Sequence, residues 1–187
     1  MLFQLTWIFV CSIYGLDVLN SAAVNKQSWD YTLLSVNFAN SSNEELFKWD
    51  VHVERIGRGE FGLSGTVTLN IDPDKVFVEI PVYRSARGNN QYKAIPFGVA
   101  RTPLREFMDT VYREMYMTSF AECSDLPVFD YSEAAVYEKK VYELSKCQIS
   151  TNRFPSYLWS GYYKVCFHTS GLVDSMLEVL IKVDQKY

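Results

Sequence analysis

The residues with chemistry to offer are few, and the most conspicuous are glycines. Gly57-Arg58-Gly59-Glu60-Phe61-Gly62 has the G-x-G-x-x-G spacing of a loop that cradles phosphates. A dinucleotide site needs a helix directly afterwards, and FGLSGTVTLNI alternates as a strand instead. The same loop joins two strands in protein kinases, but Ser64 stands where that loop carries valine. No V-A-I-K lysine, H-R-D loop or D-F-G follows. The expected role is a hairpin turn. Only two histidines exist, His52 and His168, each on the polar face of a strand pattern, and no G-x-S-x-G elbow is present. Cys166 and His168 share a strand face, yet nothing in the sequence orients the imidazole. There is no C-x-x-C spacing for a metal, and the acidic residues form no glycosidase-like pair. The expectation is a protein without catalysis, metal or cofactor.

The elements that would carry these residues are mostly strands. Trp29 to Ala39 reads as a first strand. Leu46 to Ile56 follows, with Phe47, Trp49, Val51 and Val53 opposite Lys48, Asp50, His52 and Glu54. The strand after the glycine turn sets Leu63, Val67, Leu69 and Ile71 against Ser64, Thr66, Thr68 and Asn70. Lys75 to Arg84 has Val76, Val78, Ile80 and Val82 inward, and Pro81 there demands an edge position or a bulge. Further strands are expected over Gln91–Val99, Tyr137–Ile149, Tyr162–His168 and Met176–Val183.

One stretch breaks the two-residue period. Thr102 to Cys123 places Leu104, Phe107, Met108, Val111 and Met115 within one helical arc, with Arg105, Asp109 and Arg113 well away from it. Thr102 can cap that helix and Pro103 suits its first position. The fold class is therefore mostly β: a two-layer antiparallel sandwich with one amphipathic helix inserted between strands.

The first residues, MLFQLTWIFVCSIYGL, are apolar and precede Ser21-Ala22-Ala23, which fits a cleaved signal peptide over residues 1–23. An apolar core of roughly fifteen residues falls short of the ~20 that span a bilayer. Residues 24–187 would form one secreted domain with no transmembrane segment. The net charge of −4 becomes about −3 without Asp17, which offers nucleic acid no electrostatic footing. With Cys11 in the leader, Cys123, Cys147 and Cys166 allow three pairings. Cys123–Cys147 is favoured because it ties the helix end to the strand beyond the long loop. Asn40-Ser41-Ser42 is a glycosylation sequon in what reads as a polar loop.

The helix TPLREFMDTVYREMYMTSF, the strand VYELSKCQIS and the segment FPSYLWSGYYKVCFHTSG, together with WDVHVERIGRGEFGLSGTVTLN, resemble the insect chemosensory-B proteins. These belong to the ML lipid-recognition superfamily, near the ganglioside activator. The resemblance spans roughly residues 29–183. It implies a cup-like sandwich with an apolar cavity for lipids or hydrocarbon pheromones, and a non-enzymatic role in chemosensation. Ganglioside activators have several disulfides, whereas one is the most this mature chain can form within itself. No ligand-contacting residue carries over from the family's pattern.

The expected lining is Phe47, Trp49, Val51, Val67, Leu69, Val78 and Ile80 from the early strands, with Phe107, Val111 and Met115 from the helix. Val165, Phe167, Leu177 and Val179 complete the opposite wall. Met108 and Met115 are the adaptable kind of side chain that suits variable ligands. Two rivals stand beside this reading. One is an accessory module for a chemosensory receptor or channel, with the aromatics as mere core. The other is a hydrolase built from converging residues.

Overall fold

The glycine-rich segment is a hairpin turn. It joins β2 (Phe47–Arg55) to β3 (Phe61–Leu69), which pair antiparallel from Phe47–Leu69 to Arg55–Phe61 in the computed structural model. The structure describes residues 27–130, 132 and 134–186. The expected signal peptide lies outside them. Gly59 supplies the left-handed turn position at φ 81°. Gly62 serves packing: a Cβ there would stand 2.7 Å from the Lys146 carbonyl oxygen. Gly62→Ala is expected to cost about 2 kcal/mol because rigid backbone must give way. Gly57→Ala meets only the flexible end of Glu60 and should stay within about 0.5 kcal/mol. Chemical denaturation of the two variants side by side reads the difference.

Two antiparallel sheets result. The larger runs β1 (Trp29–Ser41), β8 (Ser175–Gln185), β7 (Gly161–Gly171), β4 (Val76–Ser85), β5 (Lys93–Pro103). The smaller runs β2, β3, β6 (Lys140–Cys147). β4 lies inside its sheet, so Pro81 is accommodated by irregularity rather than by an edge. The β4–β5 register shifts beside it, and the β4–β7 ladder skips from Glu79 to Val82. β1 extends to Ser41, which puts Asn40 in a strand rather than in the expected polar loop.

The helix α1 occupies 104–121 and differs from the expectation in winding. Pro103 ends β5, and its place at the helix entry carries no side-chain cap, so Thr102 does not cap. Leu104–Phe107 and Met117–Ala121 are α-helical, but Met108–Tyr116 is π-helical, and the Met117 N–H reaches back to the Tyr112 carbonyl. Bonds that span five residues lengthen the repeat of each face. The buried apolar side chains are therefore Leu104, Phe107, Met108, Tyr112 and Met117, with Val111 and Met115 only half-buried. Arg113, expected on the outer side, is 7 % exposed and pairs with Asp109 at 3.1 Å.

The long segment between α1 and β6 is pinned at both ends and along its length. Cys123 and Cys147 form a disulfide, while Cys166 is free and buried. Tyr112 donates to the Pro127 carbonyl at 2.9 Å, and the Asp109 carboxylate accepts from the Ala135 N–H at 2.5 Å. Asp125 accepts from Lys140 Nζ at 2.8 Å and the Glu143 N–H at 2.6 Å. Leu126, Phe129 and Ala135 are thereby buried against the main core. Its fully enclosed members include Val67, Ile71, Val76, Val78 and Tyr142, each worth roughly 1.5–3 kcal/mol of burial.

Candidate functional site

The inward side of the five-stranded sheet carries one continuous cross-strand row. Val36 on β1 pairs with Val179 on β8, Val179 with Val165 on β7, Val165 with Val82 on β4, and Val82 with Ile95 on β5. All five are β-branched, as a pleated surface favours. None of the five is buried, although β8, β7 and β4 are interior strands. Two and three repeats further along β4, Val78 and Val76 are completely enclosed. The contrast follows from the unequal layers: three strands and a helix cannot cover five strands evenly. At about 4.8 Å per strand the row spans about 19 Å.

Apolar clusters flank this row, with Val165 packed against one and Val82 and Ile95 against the other. On one side Trp49 of β2 meets Phe167 of β7 edge-on at 5.7 Å, and Phe107 of α1 meets the same ring at 5.7 Å. On the other side Trp29, Leu158, Tyr163 and Val183 form a second cluster. Trp29 Nε1 donates to the Pro155 carbonyl at 2.8 Å, and the Tyr31 hydroxyl donates to the Ile149 carbonyl at 3.0 Å while accepting from the Ile149 N–H. Tyr116 of α1 touches Phe154 edge-on at 6.0 Å and spans the two clusters. Burial pushes its phenol up to about 12, and its hydroxyl has no hydrogen-bond partner among the described residues. Val36 and Val179 belong to neither cluster.

The fourteen expected lining residues separate into two groups. Phe47, Val67, Leu69, Val78, Ile80 and Phe107 are buried in the main core, and Leu177 is buried beside Phe167. Trp49, Val51, Val111, Met115, Val165, Phe167 and Val179 are half-buried. Val36, Val82, Ile95 and Tyr116 were not in the expected set. Alternation along β1, β4 and β5 carries the signal for the first three, but only the strand order shows that they form one row. A cleft of about 340 Å³ lies on the opposite face of the sheet, lined by Glu79, His168, Asp174 and Met176 among others. Another of about 230 Å³ lies under residues 125–142. Neither includes any of the fourteen.

The groups that suggested chemistry point elsewhere. His52 is exposed on the outer side of β2, and His168 faces the outer cleft opposite Glu79. Desolvation pushes the Cys166 thiol up, Glu178 adds to this, and Lys164 opposes it in part. A thiol held protonated is a weak nucleophile at neutral pH. Among the described residues no three of His, Cys, Asp and Glu gather to hold a metal ion, and no helix is long and apolar enough to cross a membrane.

Fold and site together define a two-sheet antiparallel sandwich with an inserted helix and an incompletely covered apolar inner face. Residues 78–165, slightly less than half the chain, are similar to a family described as Protein of unknown function (DUF1091). The matched stretch runs from β4 through α1 and the disulfide into β7. No curated protein matches the chain.

Proposed function

We propose that this is a secreted, non-enzymatic binding protein for hydrophobic ligands, lipid or hydrocarbon pheromone, that serves chemosensory perception as the chemosensory-B proteins do. The observation that supports it is the incompletely buried row Val36–Val179–Val165–Val82–Ile95, which crosses all five strands of the larger sheet. Apolar surface left uncovered there gains roughly 25 cal/mol per Å² when a ligand covers it, less the cost of ordering the ligand. The disulfide suits an oxidising, extracellular setting.

Mass spectrometry of organic extracts from the secreted protein tests the reading, paired with uptake of a fluorescent hydrophobic probe. Co-purified lipid and saturable uptake are expected. Empty extracts together with no uptake would sink it. A second reading, an accessory module for a receptor or channel, draws on an exposed aromatic pair. Tyr157 and Trp159, each 54 % exposed, meet edge-on at 6.1 Å, and Arg84 lies 5.9 Å from the Trp159 ring. Aromatic side chains and arginine are enriched at protein interfaces. Empty extracts favour this second reading.

A further inference from the structure

Charge is unevenly distributed over this chain, and one end of the sandwich is cationic. Three segments meet there. The β2–β3 hairpin adjoins the chain beyond β6, where Gln148 Nε2 donates to the Phe61 carbonyl at 3.3 Å. Residues 148–160 then cross to the β4–β5 hairpin, where the Arg84 guanidinium donates to the Ser160 carbonyl at 2.6 Å. Residues 55–60, 84–93 and 146–160 hold five arginines and two lysines against one carboxylate, Glu60, although the whole chain carries −4. Among the described residues only Lys146 of these seven cations forms a salt bridge, with Glu54 at 3.6 Å. Asp30 and Asp184, on the adjoining strands, are each taken by a lysine. Apolar groups are held out at the same end. The Ser156 carbonyl accepts from the Ser28 N–H at 3.0 Å, the Leu158 carbonyl from Gln185 Nε2 at 2.5 Å, and the Trp159 carbonyl from the Tyr163 hydroxyl at 2.6 Å. With Leu158 buried, this pinned backbone leaves Tyr157 and Trp159 exposed, and Ile56 is exposed on the β2–β3 hairpin.

We infer that this end of the sandwich docks on an anionic lipid surface. Tyr157, Trp159 and Ile56 enter the headgroup layer, where rings with one polar edge are at home, and the exposed Arg58, Arg87 and Arg153 meet lipid phosphates and carboxylates. Apolar insertion and opposite charge together supply the two signals that stable docking requires. The surface shares no residue with the inner valine row, so the inference stands apart from the ligand-binding reading.

The test is co-sedimentation of the delipidated protein with phosphatidylcholine vesicles, pure or with about one-third phosphatidylserine. Binding to the serine-containing vesicles is expected to be at least about tenfold tighter, and to fall steeply with added salt. Combining Arg58→Glu, Arg87→Glu and Arg153→Glu should abolish that preference, with circular dichroism confirming the fold. A second measurement needs no variant. Trp29 is buried and Trp49 half-buried, so Trp159 is the exposed tryptophan among the described residues. Its emission should shift to the blue on the anionic vesicles and be quenched by brominated lipid in them, and Trp159→Phe should lose both signals. A preference that survives the triple charge reversal, or emission indifferent to bound vesicles, overturns the inference. Indifference to both kinds of vesicle also overturns it and leaves the surface to a protein partner.

Discussion

Cys147→Ser is expected to lower stability by about 3 kcal/mol, read as a fall in the denaturant midpoint with a slope that rises as the unfolded chain expands. The bridge joins residues 24 apart, from the end of α1 to the end of β6. Without it the unfolded chain regains most of the freedom of a loop of that length. The native state still holds the segment through Tyr112 and Pro127, Asp109 and Ala135, and Asp125 with Lys140. The variant should therefore fold, with native far-ultraviolet dichroism and a lower midpoint. Wild-type protein in reducing agent should fall to the same midpoint. Equal midpoints for oxidised wild type and variant would show that these tethers suffice alone.

Val179→Trp is expected to weaken uptake of a hydrophobic probe at least tenfold while shifting stability by less than about 1 kcal/mol. Val179 lies between Val36 and Val165 in the row, half-buried and outside both apolar clusters. Because Val179 is only half-buried, an indole there is expected to extend over the uncovered part of the row, the surface a ligand would take. The same change at Val78, which is fully enclosed, must displace packed neighbours and should cost about 3 kcal/mol. The pair is diagnostic when both are measured by denaturation and probe titration. If Val179→Trp unfolds as readily as Val78→Trp, the row is ordinary core and the ligand reading falls.

Much of the architecture was legible because two-residue alternation survives wherever one side of a strand faces a core. Phe47, Val67, Val76 and Val78 followed directly from it. Pairing order was not legible: β1 beside β8, and β4 between β7 and β5, depend on contacts between distant segments. For that reason Val36, Val82 and Ile95 did not emerge as a row with Val165 and Val179. The helix was legible as an element and misread as a surface. An arc drawn at 3.6 residues per turn keeps Met115 and omits Tyr112 and Met117, but π-helical winding through Met108–Tyr116 reverses that choice. Pro81 narrowed the options to two, and only the neighbouring strands decided between them.

The boundaries of the family match carry a practical consequence. β6 pairs with β3, and β7 pairs with β8, while both partners lie outside residues 78–165. A fragment cut at those boundaries would keep the disulfide and the helix yet leave β6 and the first five residues of β7 without those ladder partners. Such a fragment would self-associate through those unpaired edges. Work on the matched stretch of this chain should therefore retain β3 and β8, which supply the ladder partners of β6 and β7.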